Sequence, residues 1–198
     1  MPKIVDKKLM QEKIMKASID AFLKYGVNNS TMEIIAKKAK IAKGTLYLYF
    51  ASKQDLISEI NVQHYTKLKA FLISEKPFET LHELLAHIKT NLLTKRKDAE
   101  FIKIFFEAFG SQLSSKNFTN EYNIFFEEIA LFYKQNFELL LQNNQIDQTI
   151  NTFTLSRALV SMMDGLIMHR GFFNIPDEKY IGMVEDALQM FELGLSKK

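Results

Sequence analysis

Residues that reverse the chain are scarce: 198 residues carry 7 Gly and 3 Pro. Sandwiches and barrels turn about every 8–12 residues and rely on such residues to do it. A chain this poor in them is expected to be all-α, and the apolar periodicity divides into about nine helices. The segments are 9–24, 31–38, 44–49, 53–74, 80–95, 98–113, 119–141, 154–173 and 178–195. Local signals punctuate them. Gly26 stops the first helix. Ser30 with Glu33 and Thr80 with Glu83 have capping-box spacing, and Ser52 can cap the helix that opens at Lys53. Pro176 restarts the chain before the last helix. Pro77 marks the clearest change in character, which suggests a head over 1–52, a connecting helix over 53–76 and a body over 77–198.

Charge follows the same division. Residues 1–60 hold 11 Lys against 6 Asp and Glu; the remainder holds 15 Lys and Arg against 17 Asp and Glu. A basic head on a slightly acidic body suits a polyanionic partner. Without cysteine there is neither disulfide nor thiolate chemistry, and a reducing cytoplasm fits. Charged residues interrupt every apolar run before membrane-spanning length, and the N-terminus has no apolar segment of signal-peptide size. Enzymatic signatures are missing as well. His82 and His87 lie five apart where a zinc-protease helix needs four. Gly26 and Gly44 are isolated, so there is no phosphate loop, and no serine occupies a nucleophile elbow. No cofactor, no metal and no catalysis are expected.

The segments 31–38 and 44–49, joined by a tight turn, have the layout of a helix-turn-helix, whose second helix enters the major groove. On that helix Leu46 and Phe50, four apart, are expected to be buried, with Ile41 packing inward. Lys43 can reach base acceptors or phosphate, and Gly44 allows close backbone approach. Thr45 offers a hydroxyl and a methyl, Tyr47 and Tyr49 offer phenols or flat faces, and Leu48 can meet a thymine methyl. Lys53 opens the next helix, whose amides favour phosphate.

The stretch Thr31-Met32-Glu33-Ile34-Ile35-Ala36-Lys37-Lys38-Ala39, followed by Ile41-Ala42-Lys43-Gly44-Thr45-Leu46-Tyr47-Leu48-Tyr49-Phe50-Ala51-Ser52-Lys53-Gln54-Asp55-Leu56, resembles the DNA-binding domain of the TetR (tetracycline-repressor) family. The likeness covers about residues 9–60. It departs from the family pattern at Lys40, where glycine is usual, and at Ala42, where serine or threonine often caps the helix. The resemblance implies a homodimeric regulator, most readily a repressor, that binds double-stranded operator DNA and is released by a hydrophobic small molecule.

It also implies roles in the body. The last two helices match the family's dimer-forming pair, with Leu155, Leu159, Met162 and Leu166 on one and Val184, Leu188 and Phe191 on the other. Aromatics concentrated in 98–141 suit an apolar effector; Phe105, Phe109, Phe126, Met163 and Met168 are the candidate lining. Glu107, Gln112, Tyr122, Asn136, Asp164, His169 and Arg170 are polar groups that could orient a ligand. The helix from Lys53 to about Ser74 is then a lever from head to body. Two other readings compete: an all-helical carrier or enzyme for a lipid-like molecule with an incidental basic head, and a membrane-surface protein using helix 9–24, whose apolar face is narrow and lacks Trp.

Overall fold

The computed structural model describes residues 6–93, 104, 107, 116–173 and 175–196. Among these, eight α-helices and no strand occur: α1 (Lys7–Tyr25), α2 (Met32–Lys38), α3 (Lys43–Tyr47), α4 (Lys53–Leu72), α5 (Leu81–Leu92), α6 (Lys116–Gln142), α7 (Thr152–Phe173) and α8 (Asp177–Leu195). The helix expected over 98–113 lies outside the described residues except at Ile104 and Glu107, both helical. The loop expected before the long helix at 119 is partly helix, since α6 opens at Lys116.

Most helix ends follow the residues that flank them. Asp6 accepts from the Lys8 and Leu9 amides at the start of α1, and Gly26 ends it with φ of 79°. Ser52 accepts from the Asp55 amide at 3.0 Å, and Thr80 and Glu83 form the expected capping box on α5. One cap is displaced. Thr31, not Ser30, caps α2 by accepting from the Ile34 amide. Ser30 is buried and donates to the Gly26 carbonyl at 2.7 Å, so it ties the α1–α2 loop together instead.

Two compact units result. The first comprises residues 1–65 and 100–119, the second 66–99 and 120–198. Two features differ from the division read at Pro77: α4 runs from one unit into the other, and the 100–119 stretch belongs with the head. Burial supplies the reason. Ile104 joins the core built by Ile14 and Phe22 of α1, Ile35 of α2, Leu46 of α3 and Leu56 of α4. The apolar face of α1 that a membrane surface would require is thereby buried in the head. The second unit has its own core, with Leu84 and Ile88 of α5, Tyr133 and Phe137 of α6, Leu159 of α7 and Val184 of α8 all fully buried. Tyr180 of α8 is buried beside α5 and donates its hydroxyl to the Leu92 carbonyl at 3.0 Å.

Candidate nucleic-acid interface and the polar sites around it

The α2–α3 turn closes by a Schellman arrangement. The Lys40 amide donates to the Lys37 carbonyl at 3.1 Å and the Ile41 amide to the Ala36 carbonyl at 3.0 Å. This geometry places Lys40 at φ of 54°, in the left-handed region where glycine is at ease and other residues lose about 1 kcal/mol. Ala42 then begins α3 without a side-chain cap, as its residue type dictates.

Leu46, with no exposed surface, and Phe50 press α3 against the head core, and Ile41 and Tyr49 lie half-buried against the same cluster. The outer side is built from what remains. Tyr47 is 45% exposed and Leu48 81% exposed, large apolar surface with no cover in the protomer. Lys43 is exposed and stands 3.7 Å from Glu33, a weak surface pair that a stronger anion would displace. A Cβ on Gly44 would touch nothing within 4 Å. Glycine inside a helix costs roughly 1 kcal/mol relative to alanine. Among the described residues no packing contact demands a glycine there. Thr45 is half-buried between these groups.

Lys53 has partners inside the head. Its Nζ donates to the carbonyl oxygens of Val27 at 2.9 Å and Asn28 at 3.4 Å, so its charge holds the α1–α2 loop. A second clasp grips the same loop. Glu107 Oε2 accepts from the Val27 amide at 2.6 Å, and a Cβ on Gly26 would come within 2.9 Å of Glu107 Oε1. Sequence reading placed Glu107 among ligand-orienting groups; no local signal marks a contact spanning 80 residues.

In the second unit Tyr122 of α6 donates to Asp164 Oδ2 of α7 at 3.0 Å. Burial pushes the Asp164 carboxyl up to about 6 against the opposing pull of that hydrogen bond, and burial raises the Tyr122 phenol well above its ordinary value. Asn136, another candidate, is structural: it accepts from the Phe78 amide and donates to the Phe132 carbonyl. Arg170 lies over the Tyr180 ring, 4.5 Å from its centroid, and pairs with Asp177 at 3.3 Å. His169 is exposed. Of the expected lining, Met163 is buried and Phe126 and Met168 are half-buried, whereas Phe105, Phe109 and the polar candidate Gln112 fall outside the described residues.

The residues of the expected dimer stripe divide by burial. Leu159, Val184 and Leu188 are buried within their own protomer, so their side chains have almost no area to give a partner. Leu155, Met162, Leu166 and Phe191 are half-buried. The exposed apolar groups of α7 and α8 are instead Phe153, Phe172, Phe173, Ile181, Met190 and Leu193. One stripe of each helix is used by the protomer's own core, and a different stripe faces out. Among the described residues no cluster of three metal-ligating side chains occurs, and no helix is long and apolar enough to cross a membrane.

An α2–turn–α3 unit packed by Leu46 and Phe50, with an uncovered tyrosine, leucine, lysine and glycine on its far side, defines a helix-turn-helix DNA-binding regulator. Residues 14–60 match the bacterial regulatory proteins of the tetR family. The chain is 26% identical over 179 residues to YvdT, a helix-turn-helix-type transcriptional regulator of Bacillus subtilis, covering 88% of this chain and 84% of that one. To YvkB of the same organism it is 26% identical over 193 residues, covering 93% and 96%. A TetR transcription regulator from Haloarcula marismortui superposes with a TM-score of 0.78 at 16% identity, covering 96% of this chain and 100% of that one, and so shares the fold. Residues 14–60 thus match the tetR-family DNA-binding domain, and over most of its length the chain is similar to helix-turn-helix transcriptional regulators.

Proposed function

We propose that this regulator is a homodimeric repressor that leaves its operator when a hydrophobic small molecule binds the body. The observation that carries the DNA half is the uncovered outer side of α3, where Leu48 is 81% exposed beside Tyr47 and a glycine that the protomer does not need. Lys43, Gly44, Thr45, Tyr47 and Leu48 read the groove. Tyr49, anchored on the core, presents its phenol to the backbone, and Lys53 shapes the reader from behind through the α1–α2 loop. Two copies are needed because one short helix reads only a half-site, and half-sites recur about 34–36 Å apart on successive turns of DNA. The exposed stripe of α7 and α8, with Phe172, Met190 and Leu193, supplies apolar area for that pairing.

The helical body accounts for regulation. Aromatic and methionine side chains, including Phe126, Met163 and Met168, suit an apolar effector, and α4 is shared by both units and can carry a change from one to the other. The test begins with selection of bound sequences from random duplexes, which should return an imperfect palindrome. Light scattering should give a dimer without DNA. A thermal-shift screen of hydrophobic compounds, followed by operator release, then identifies inducers. A monomer at micromolar concentration, or binding without sequence preference, would sink the proposal.

A further inference from the structure

The outer side of α3 has an apolar centre. Leu46, without exposed surface, points into the head core. At about 100° per residue, Gly44 and Leu48 fall on the opposite side, four residues apart. Leu48 continues the helical path, with φ of −69° and ψ of −22°, and is 81% exposed. A Cβ on Gly44 would meet nothing within 4 Å, so the space beside the leucine is open. The polar groups stand on the flanks, Lys43 and Tyr47 along one edge, Thr45 and Tyr49 along the other.

The residue types around this centre limit how bases can be told apart. Two-bonded pairing with adenine needs asparagine or glutamine, and with guanine it is made best by arginine. Residues 1–65 contain no arginine, and no asparagine, glutamine or acidic residue lies between Ala39 and Ala51. Lys43 can reach guanine or phosphate, but from the flank and as a point charge. In the major groove the apolar group on a base edge is the C5 methyl of thymine. Leucine offers nothing to the donors and acceptors of the other bases, which would lose water against it without a replacement bond. A methyl loses only unfavourable hydration. An exposed leucine beside an open glycine therefore discriminates by what it excludes as well as by what it attracts.

We propose that Leu48 selects thymine through its C5 methyl, so that base choice at the pair beneath it in each half-site is methyl recognition. This rests on the reading of α3 as the DNA reader. Each methyl buried against Leu48 strengthens binding about fourfold, and two half-sites together more than about tenfold.

The experiment uses the full-length chain and the duplex returned by selection from random sequences. A second duplex replaces every thymine by uracil, which pairs alike and lacks only the methyl. Fluorescence anisotropy on the parent and on Leu48→Ala completes a two-by-two cycle. The parent should bind the thymine duplex at least about tenfold more tightly than the uracil duplex, and in Leu48→Ala that ratio should fall below about threefold. Altered duplex stiffness would act on both proteins alike, so the difference between the two ratios isolates the contact. Restoring thymine one position at a time should return the parent's affinity at one position in each half-site. Leu48 is exposed, so the variant should keep the parent's melting temperature. The comparison of duplexes on the unaltered protein stands without it. A selected palindrome that the parent binds equally well with uracil overturns the methyl readout and keeps the operator reading. An undiminished ratio in Leu48→Ala removes the assignment to Leu48. Selection that returns no sequence overturns both readings.

Discussion

The head and the body solve opposite problems with their polar groups. In the head they hold the backbone: Thr31, Ser52, Ser30, Lys53 and Glu107 satisfy amides and carbonyls in turns and at helix ends. The outer side of α3 is left to residues that do little for the protomer's own packing, namely Tyr47, Leu48 and Gly44. In the body, two helices are bridged by a carboxylate that is itself uncomfortable, Asp164 against Tyr122. A surface can specialise in binding while the fold stays relaxed beneath it. A carboxylate between packed helices has no such separation, and its desolvation costs stability directly.

This contrast can be broken by experiment, starting with the largest effect. Leu46→Ala removes a side chain with no exposed surface from the head core and should destabilise that unit by about 2–5 kcal/mol, abolishing DNA binding at 37 °C. Chemical denaturation followed by helical circular dichroism checks it. A loss below about 1 kcal/mol would show that α3 is not held by this core. Tyr47→Ala should lower operator affinity by about 1–3 kcal/mol with an unchanged melting temperature. Its counterpart, Lys53→Ala, should lower the melting temperature and leave the salt dependence of binding unchanged, because its ammonium serves the loop. A shallower salt slope in Lys53→Ala would restore a phosphate contact.

The third test concerns pH. The Asp164 carboxyl is raised in the fold, from 3.8 to about 6, so the folded state disfavours the charged form. Native stability is therefore greatest when Asp164 is protonated and falls as pH rises from about 4 through about 6. After discounting for partial exposure, Asp164→Asn should be more stable than the parent by about 1–2 kcal/mol at pH 8 and nearly equal to it at pH 4. A variant less stable at pH 8 would mean that the carboxylate is structurally welcome and the contrast between the units false. The smallest effect is Lys40→Gly. It relieves a left-handed residue in the α2–α3 turn and should stabilise the head by about 1 kcal/mol, read as a small rise in denaturation midpoint with operator affinity preserved.

What was legible in the sequence divides along the same line. Helix ends set by neighbours in the chain could be read, as Ser52, Thr80 and Gly26 show. The buried side of α3 followed from the four-residue spacing of Leu46 and Phe50. Ser30 defeated the reading because serine caps helices and also ties loops, and the choice depended on its burial. Lys53 shows a related ambiguity: a lysine at a helix start suits phosphate, and two carbonyls of the preceding loop also lie within its reach. On α7 and α8 three of the seven expected interface side chains, Leu159, Val184 and Leu188, turn into their own core. Leu159 and Val184 gave a clean stripe, yet periodicity says only that one side is apolar, not whether it meets its own core or a partner. Tyr122 and Asp164 could be named as polar residues in an apolar stretch, but 42 residues separate them, and only the fold joins them.

The clasp on the α1–α2 loop bears on transplantation. Regulators built as a reading head on a sensing body invite recombination, with a cut made wherever the head's sequence pattern ends. Here that cut would leave behind Glu107, which satisfies the Val27 amide from 80 residues away, and Ile104, which fills part of the head core. A head grafted without them would carry an orphaned buried amide and a hole. A working chimera of this protein must move two pieces of chain, the N-terminal stretch and the segment around Ile104 and Glu107, as one inseparable unit.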